Sequence, residues 1–156
     1  MPSSPDSSPG VHVPPVLIYA AGLALGLWAS AWLPSRWLPA AVCRAAGWTL
    51  IAAALALVLP AFLGFFRART TVRPDRPASS LVTSGPYRFT RNPMYVSMAL
   101  VYAGVATLYQ SVWAWLFLPI VVAYIDRRVI CSEEGFLARR FGPDYAQYCA
   151  KVRRWI

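Results

Sequence analysis

Charge is scarce in this sequence. Only 13% of the 156 residues are Asp, Glu, Lys or Arg, where a soluble globular domain carries about 25%. Hydrophobic residues make up 58%. A chain this short leaves much of its surface exposed on folding, and so few polar residues could not cover that surface in water. The composition therefore argues against an ordinary soluble globule and for the bilayer as solvent. Histidine is almost missing. His12 is the single example, so no His-based triad and no His metal site can form, which removes much hydrolase and zinc chemistry. The three cysteines, Cys43, Cys131 and Cys149, have none of the spacings of a metal or redox motif and read as small apolar fillers. Acids are scarce too: six Asp+Glu against fifteen Lys+Arg give a net charge of +9. No internal repeat is visible, and the length suits one domain.

What is present is three long uncharged runs. Ser7–Ser35 has no charge if His12 is neutral, Ala45–Phe66 is a second run of 22 residues, and Asn92–Ile125 a third of 34. A membrane-spanning helix needs about 20 mostly apolar residues. The first two runs predict one span each, over Pro15–Leu33 and Ala45–Phe66, with Pro60 kinking the second. Their Ala, Leu, Gly and Trp content suits close helix approach in lipid. The third run as one helix would be about 51 Å long at about 1.5 Å per residue, too long for a hydrocarbon core of about 30 Å. It predicts two short spans turning at Tyr109-Gln110-Ser111. With four spans, thirteen of the fifteen positive charges share one side, and only Arg36 and Arg44 fall on the other. That is the positive-inside pattern, so both termini and the basic segments are expected in the cytoplasm. The expected fold class is therefore all-α: a polytopic membrane protein of about four transmembrane helices with amphipathic helices after them. Residues 1–12 are Pro/Ser-rich and read as a disordered tail. They lack the basic start of a signal peptide, so the first span is expected to stay attached. Residues 13–66 then hold two spans, and 67–156 the connecting loop, the helical hairpin and the last helices.

Two segments carry most of the polar information. In the first, Ser84 to Tyr95, Gly85-Pro86 signals a turn, Pro93 suits the first turn of a helix and Asn92 can be its N-cap. Arg88 and Arg91 just before that helix make an anion-binding corner. The plainer reading gives these arginines to lipid headgroups and makes Tyr87 and Tyr95 interfacial anchors. In the second, Asp126 to Leu137, helical spacing puts Ile130, Glu134, Leu137 and Phe141 on one face. A carboxylate there is costly without a partner. With Glu133 beside it, it suits a cationic ligand group, or else pairs internally with Arg88, Arg91 or Arg128. Gly142 and Pro143 end one helix and start another. The last helix aligns Tyr145, Tyr148, Val152 and Trp155, leaving Lys151, Arg153 and Arg154 for headgroups. It reads as an amphipathic lid on the membrane.

In order, G-P-Y-R-x-x-R-N-P-x-Y, an uncharged hairpin, E-E-x-x-L and F-G-x-x-Y-x-x-Y-x-x-x-V-x-R resemble the isoprenylcysteine carboxyl methyltransferase and phospholipid N-methyltransferase superfamily. The likeness runs from about Gly85 to Ile156, and the first two spans show no such motif. The resemblance implies a membrane enzyme that uses S-adenosylmethionine, releasing S-adenosylhomocysteine, at the cytosolic face between the third and fourth spans and the last helices. It implies catalytic roles for Arg91, Asn92 and Tyr95. It implies cofactor contacts from Tyr87, Arg88, Arg91, Asn92, Pro93, Tyr95, Glu133, Glu134 and Tyr145. No metal is implied. The family carries R-H-P where this chain has Arg91-Asn92-Pro93, and Asn cannot titrate near neutral pH. The expected acceptor is hydrophobic or lipid-like: an isoprenylcysteine carboxylate, a phospholipid amine or a thiol. The expected partners are membrane lipids and that acceptor, with no nucleic acid, because the arginines flank spans and the aromatics lie mostly within them. A non-catalytic membrane protein of the same fold, binding anionic headgroups, is the alternative.

Overall fold

The structure, a computed structural model, describes residues 13–34, 38–67 and 81–156. The expected tail over 1–12, the connecting residues 68–80 and Arg36 lie outside these. Helices α1 (Pro15–Trp32), α2 (Ala40–Arg67), α3 (Pro93–Leu108), α4 (Val112–Tyr124) and α5 (Cys131–Lys151) account for most of the described chain. A 3-10 turn, Gly85–Arg88, precedes α3, and a π-helical segment, Ile125–Ile130, joins α4 to α5. Among the described residues there is no strand. The described chain falls into two compact units. The apolar unit joins Val13–Ala56 to Tyr95–Ile125, and the polar unit joins Leu57–Met94 to Asp126–Ile156.

Helices α1 and α2 are long and apolar enough to cross a membrane, yet only 22% and 17% of the residues in their most apolar stretches are buried. The core helix of a soluble protein would be mostly buried. These instead turn large side chains outward, with Trp32 73% and Trp48 63% exposed. Apolar surface on that scale requires a nonaqueous solvent, and the chain is a membrane protein. The expected turn falls at Tyr109–Ser111, where Gln110 takes a positive φ of 52°. The two helices flanking it are short. The 16 residues of α3 reach about 24 Å and the 13 of α4 about 20 Å, so two of the four expected spans meet the length requirement alone. Pro60, the expected kink position, lies inside α2.

Lipid offers helices little hydrophobic drive to associate, so close packing and hydrogen bonds hold them together. In the apolar unit, α1 presents Gly22, Gly26 and Ser30 at four-residue spacing. A Cβ on Gly22 would collide with Val121, and one on Gly26 with the backbone of Ala114. The α2 and α3 backbones meet through a second glycine pair: a Cβ on Gly47 or on Gly104 would lie 2.9 Å from the other's carbonyl oxygen. Two serines of this interior find partners, whereas the buried Tyr102 Oη has no hydrogen bond. Buried Ser111 accepts the Ala114 N–H at 2.9 Å, capping α4, and lies 2.6 Å from Ser30 Oγ. It donates to the Gly26 carbonyl at 3.2 Å. Ser30 Oγ also lies 3.1 Å from the Gly26 carbonyl, so the two hydroxyls share that acceptor and each other. Trp113 Nε1 ties the start of α4 to the Leu33 carbonyl at 3.1 Å.

In the polar unit, α5 breaks where the sequence predicted. Gly142 has φ 50° and ψ −122°, a conformation open only to glycine, and Pro143 starts the next turn. Beyond the break, Tyr145, Tyr148 and Val152 form a small buried core with Leu81, Leu137, Phe141 and Cys149.

Gly26→Leu should separate α1 from α4. The expected loss is about 1–3 kcal/mol, typical of an overpacked interface, read as a lower midpoint in thermal unfolding of detergent-solubilised protein. Gly64→Ala, whose new Cβ would meet nothing closer than Val82 at 3.5 Å, should leave the midpoint unchanged.

Candidate functional site

The polar unit gathers most of the residues singled out in the sequence. The 3-10 turn over Gly85–Arg88 starts at Gly85, whose φ is 62°. It buries Pro86 and Tyr87 and leaves Arg88 exposed. Thr90 and Asn92 are buried on either side of the half-buried Arg91, and fully buried Pro93 opens α3. Asn92 was expected to cap this helix. It stands directly before Pro93, its side-chain amide donates to the Arg154 carbonyl at 3.0 Å, and Thr90 Oγ1 accepts the Asn92 N–H at 3.1 Å.

At the centre is a four-residue charge cluster. Arg91 Nη1 lies 3.2 Å from Glu134 Oε1 and against Cys149 Sγ. Arg154 reaches the same carboxylate, with Nε 3.2 Å from Oε1 and Nη2 2.5 Å from Oε2. Its third nitrogen, Nη1, lies 3.3 Å from Asp126 Oδ2, and Asp126 Oδ1 accepts the Trp155 indole N–H at 2.9 Å. The Glu134 bonds, foremost among the causes, hold the Arg154 guanidinium above its ordinary basicity. Arg91 Nε is buried and has no hydrogen-bond partner.

Aromatic rings stand beside the charges. Tyr148 donates its hydroxyl to the Tyr87 carbonyl at 2.7 Å, and its ring centroid lies 6.2 Å from that of Tyr145. Burial pushes the Tyr87 phenol up, and the charges of Tyr148 and Glu133 add to the shift. Burial also raises Tyr145, followed by its hydrogen bond to Cys149 and the Glu134 charge.

Of the expected site residues, the polar unit therefore holds Tyr87, Arg88, Arg91, Asn92, Pro93, Glu133, Glu134 and Tyr145, with Arg88 exposed. Tyr95 belongs to the apolar unit, where its carbonyl accepts from Tyr19 Oη at 3.3 Å. Pairing of Glu134 with Arg91 was one of the alternatives the sequence left open. Arg154, assigned to headgroups, is turned inward, and Trp155 follows the end of α5. Sequence reasoning also passed over Asp126, Thr90, Tyr148 and Cys149. The available signal was the scarcity of acid, since Asp126 is the first charge after the 34-residue uncharged run.

An all-helical membrane protein with an Arg–Glu cluster at the start of an apolar helix defines a broad class, and sequence comparison narrows it. The model of the phospholipid methyltransferase family matches residues 42–144, and the chain belongs to that family. It is 36% identical over 77 residues to the cobalt-zinc-cadmium resistance protein CzcN of Cupriavidus metallidurans, a stretch covering 49% of this chain and 35% of that protein. It is 33% identical over 72 residues to the protein-S-isoprenylcysteine O-methyltransferase of Schizosaccharomyces pombe, covering 46% of this chain and 30% of that protein. An uncharacterized protein of Haemophilus influenzae matches over its whole length, 63 residues at 35% identity, covering 40% of this chain. The chain thus spans about a third of the resistance protein and of the methyltransferase.

The Tyr148 phenol, raised by burial from 10.0 to about 12, supplies a pH test. The folded state holds the proton more tightly than the unfolded chain does. Its contribution is therefore full below pH 10 or so and is lost as pH climbs through about 12. Tyr148→Phe should lower stability by about 1 kcal/mol at neutral pH, the worth of one hydrogen bond. It should also remove one tyrosinate transition from the alkaline absorbance titration.

Proposed function

We propose that this chain is an integral-membrane methyltransferase that uses S-adenosylmethionine to methylate a hydrophobic or lipid-like acceptor at the cytosolic face. The family match supports methyl-transfer chemistry, and the observation that carries the donor assignment is the Arg91–Glu134 pair with its unpartnered Arg91 Nε. The donor's amino-acid end is a zwitterion, and a cation beside an anion complements it. Arg91 offers the donor carboxylate a guanidinium face with a free N–H. Glu133 and Glu134 suit the ammonium or the ribose hydroxyls. Tyr87 and Tyr145 offer flat aromatic surface for adenine or for the cationic sulfonium. Pro93 and Asn92 shape the backbone at this corner, Arg88 supplies positive potential at its rim, and Tyr95 follows one turn into α3.

The donor would supply an electrophilic methyl group. What this chain must do is hold nucleophile, carbon and sulfur in line in a dry site, and positioning alone can supply much of the rate. A carboxylate or thiolate acceptor needs no base, and an amine loses its proton more readily where water is excluded. The acceptor class therefore stays an isoprenylcysteine carboxylate, a phospholipid amine or a thiol.

Detergent-purified protein should bind S-adenosylhomocysteine with micromolar-range affinity in calorimetry, and Glu134→Ala should lose that binding while still inserting into membranes. Absence of binding by the unaltered protein would favour the non-catalytic, headgroup-binding alternative. Labelled donor incubated with a panel of lipid acceptors should identify the acceptor by transfer of label.

The same proposal includes the four-span topology, with α3 and α4 as a short hairpin, both termini cytoplasmic and the basic segments on the inner face. A reporter fused after Ile156 should therefore be active only in its cytoplasmic form, and extracellular activity would refute the topology.

A further inference from the structure

Beyond α5 the chain turns extended at Val152, with φ −124° and ψ 130°, and its next residues make a dense set of contacts. The Arg153 carbonyl accepts the Arg91 N–H at 3.0 Å. The Arg154 carbonyl accepts from Thr90 Oγ1 at 3.1 Å and from Asn92 Nδ2 at 3.0 Å. Three consecutive residues before α3 are thus fixed by two consecutive carbonyls. The Arg154 side chain meanwhile bridges Glu134 and Asp126, which stand on α5 and on the π-helical segment. Wide π turns are uncommon and recur at functional sites. Here such a turn carries Asp126 to the guanidinium that also holds Glu134.

We propose that Arg154 is the positioning residue of this site: it sets the Glu134 carboxylate, and through Glu134 and the 90–92 backbone it sets the Arg91 guanidinium. The identity of the ligand rests on the methyl-donor reading above; the positioning geometry does not. Three of the guanidinium nitrogens are engaged on two carboxylates, which a planar fork achieves and a lysine ammonium, a single point charge, cannot. The Arg154 side chain is 33% exposed, and partly exposed pairs contribute little to overall stability. Its effect is therefore expected on orientation. Arg154 grips both Glu134 oxygens, so the carboxylate is fixed where Arg91 Nη1 shares Oε1, and Arg91 Nε keeps no hydrogen-bond partner.

The test uses the full chain in detergent with Cys131, which is exposed, replaced by serine. Cys149, in contact with Arg91, then reports the local geometry through its alkylation rate by a maleimide, and buried Cys43 stays unreactive. Arg154→Gln should speed Cys149 alkylation about tenfold and weaken S-adenosylhomocysteine binding about tenfold, the equivalent of one charge-assisted hydrogen bond. Arg154→Lys should restore only part of each. Lys151→Gln, which removes a positive charge from an exposed site near the end of α5, should change neither. Asp126→Asn, which loosens the fork without removing it, should shift both readouts in the same direction by a smaller factor. An Arg154→Gln protein that folds and keeps the parent's alkylation rate, or that alkylates faster yet binds S-adenosylhomocysteine as the parent does, would overturn the positioning role. If the parent binds no S-adenosylhomocysteine, the donor reading falls, and the alkylation rates decide the positioning of Arg91 by themselves.

Discussion

Glu134 places a full negative charge on the face of α5 that also carries Leu137 and Phe141, in a unit whose core is apolar. Removing a carboxylate from water is expensive unless cations and hydrogen-bond donors replace the solvent. Two arginines from opposite ends of the polar unit's sequence meet on it, Arg91 from the start of α3 and Arg154 from beyond α5. Two guanidiniums alone would leave a surplus of positive charge, and Asp126 restores neutrality. The pairing also has consequences for the backbone. Bringing Arg154 to Glu134 lays the 152–156 segment across residues 90–92, so the start of α3 and the end of the described chain become one structure.

The bilayer imposes a different constraint on the apolar unit. Helices surrounded by lipid gain almost nothing by hiding apolar side chains from one another. Their contacts must come from backbone proximity, which is why glycines, and not large side chains, stand at the α1–α4 and α2–α3 crossings. The same medium tolerates no unsatisfied hydroxyl cheaply. Ser30 and Ser111 use each other and the Gly26 carbonyl in place of water. Trp28, Trp32 and Trp48, excluded from the tight crossings, face outward instead.

Features governed by local chemistry were legible in the sequence. The positions of α1 and α2 followed from charge-free length, the turn between α3 and α4 from Tyr109-Gln110-Ser111, and the break in α5 from Gly142-Pro143. The alignment of Tyr145, Tyr148 and Val152 followed from helical spacing. What escaped notice depends on closure in three dimensions. Arg154 is 20 residues from Glu134 and 28 from Asp126; the V-x-R pattern ends on it, yet nothing local shows that it turns inward while Arg153 is exposed. The π-helical segment shifts the register between Asp126 and α5, so counting in steps of 3.6 residues from the apolar run could not group the two acids.

Asn92 links the geometry to the proposed chemistry. The resembling family carries histidine at this position, and an imidazole offers both a hydrogen-bond donor and a titratable nitrogen. The structure uses Asn92 for the first property: its amide N–H holds the Arg154 carbonyl at 3.0 Å and so helps fix the segment that positions Glu134. The second property is chemically unavailable to an amide. On the methyltransferase reading, Asn92 supplies a hydrogen bond and no base. That is tolerable only where the acceptor arrives already nucleophilic, as a carboxylate or thiolate does, or where burial alone makes an amine neutral. On that reading, the residue that departs from the family pattern takes no proton, and the protein's part is to align the reactants.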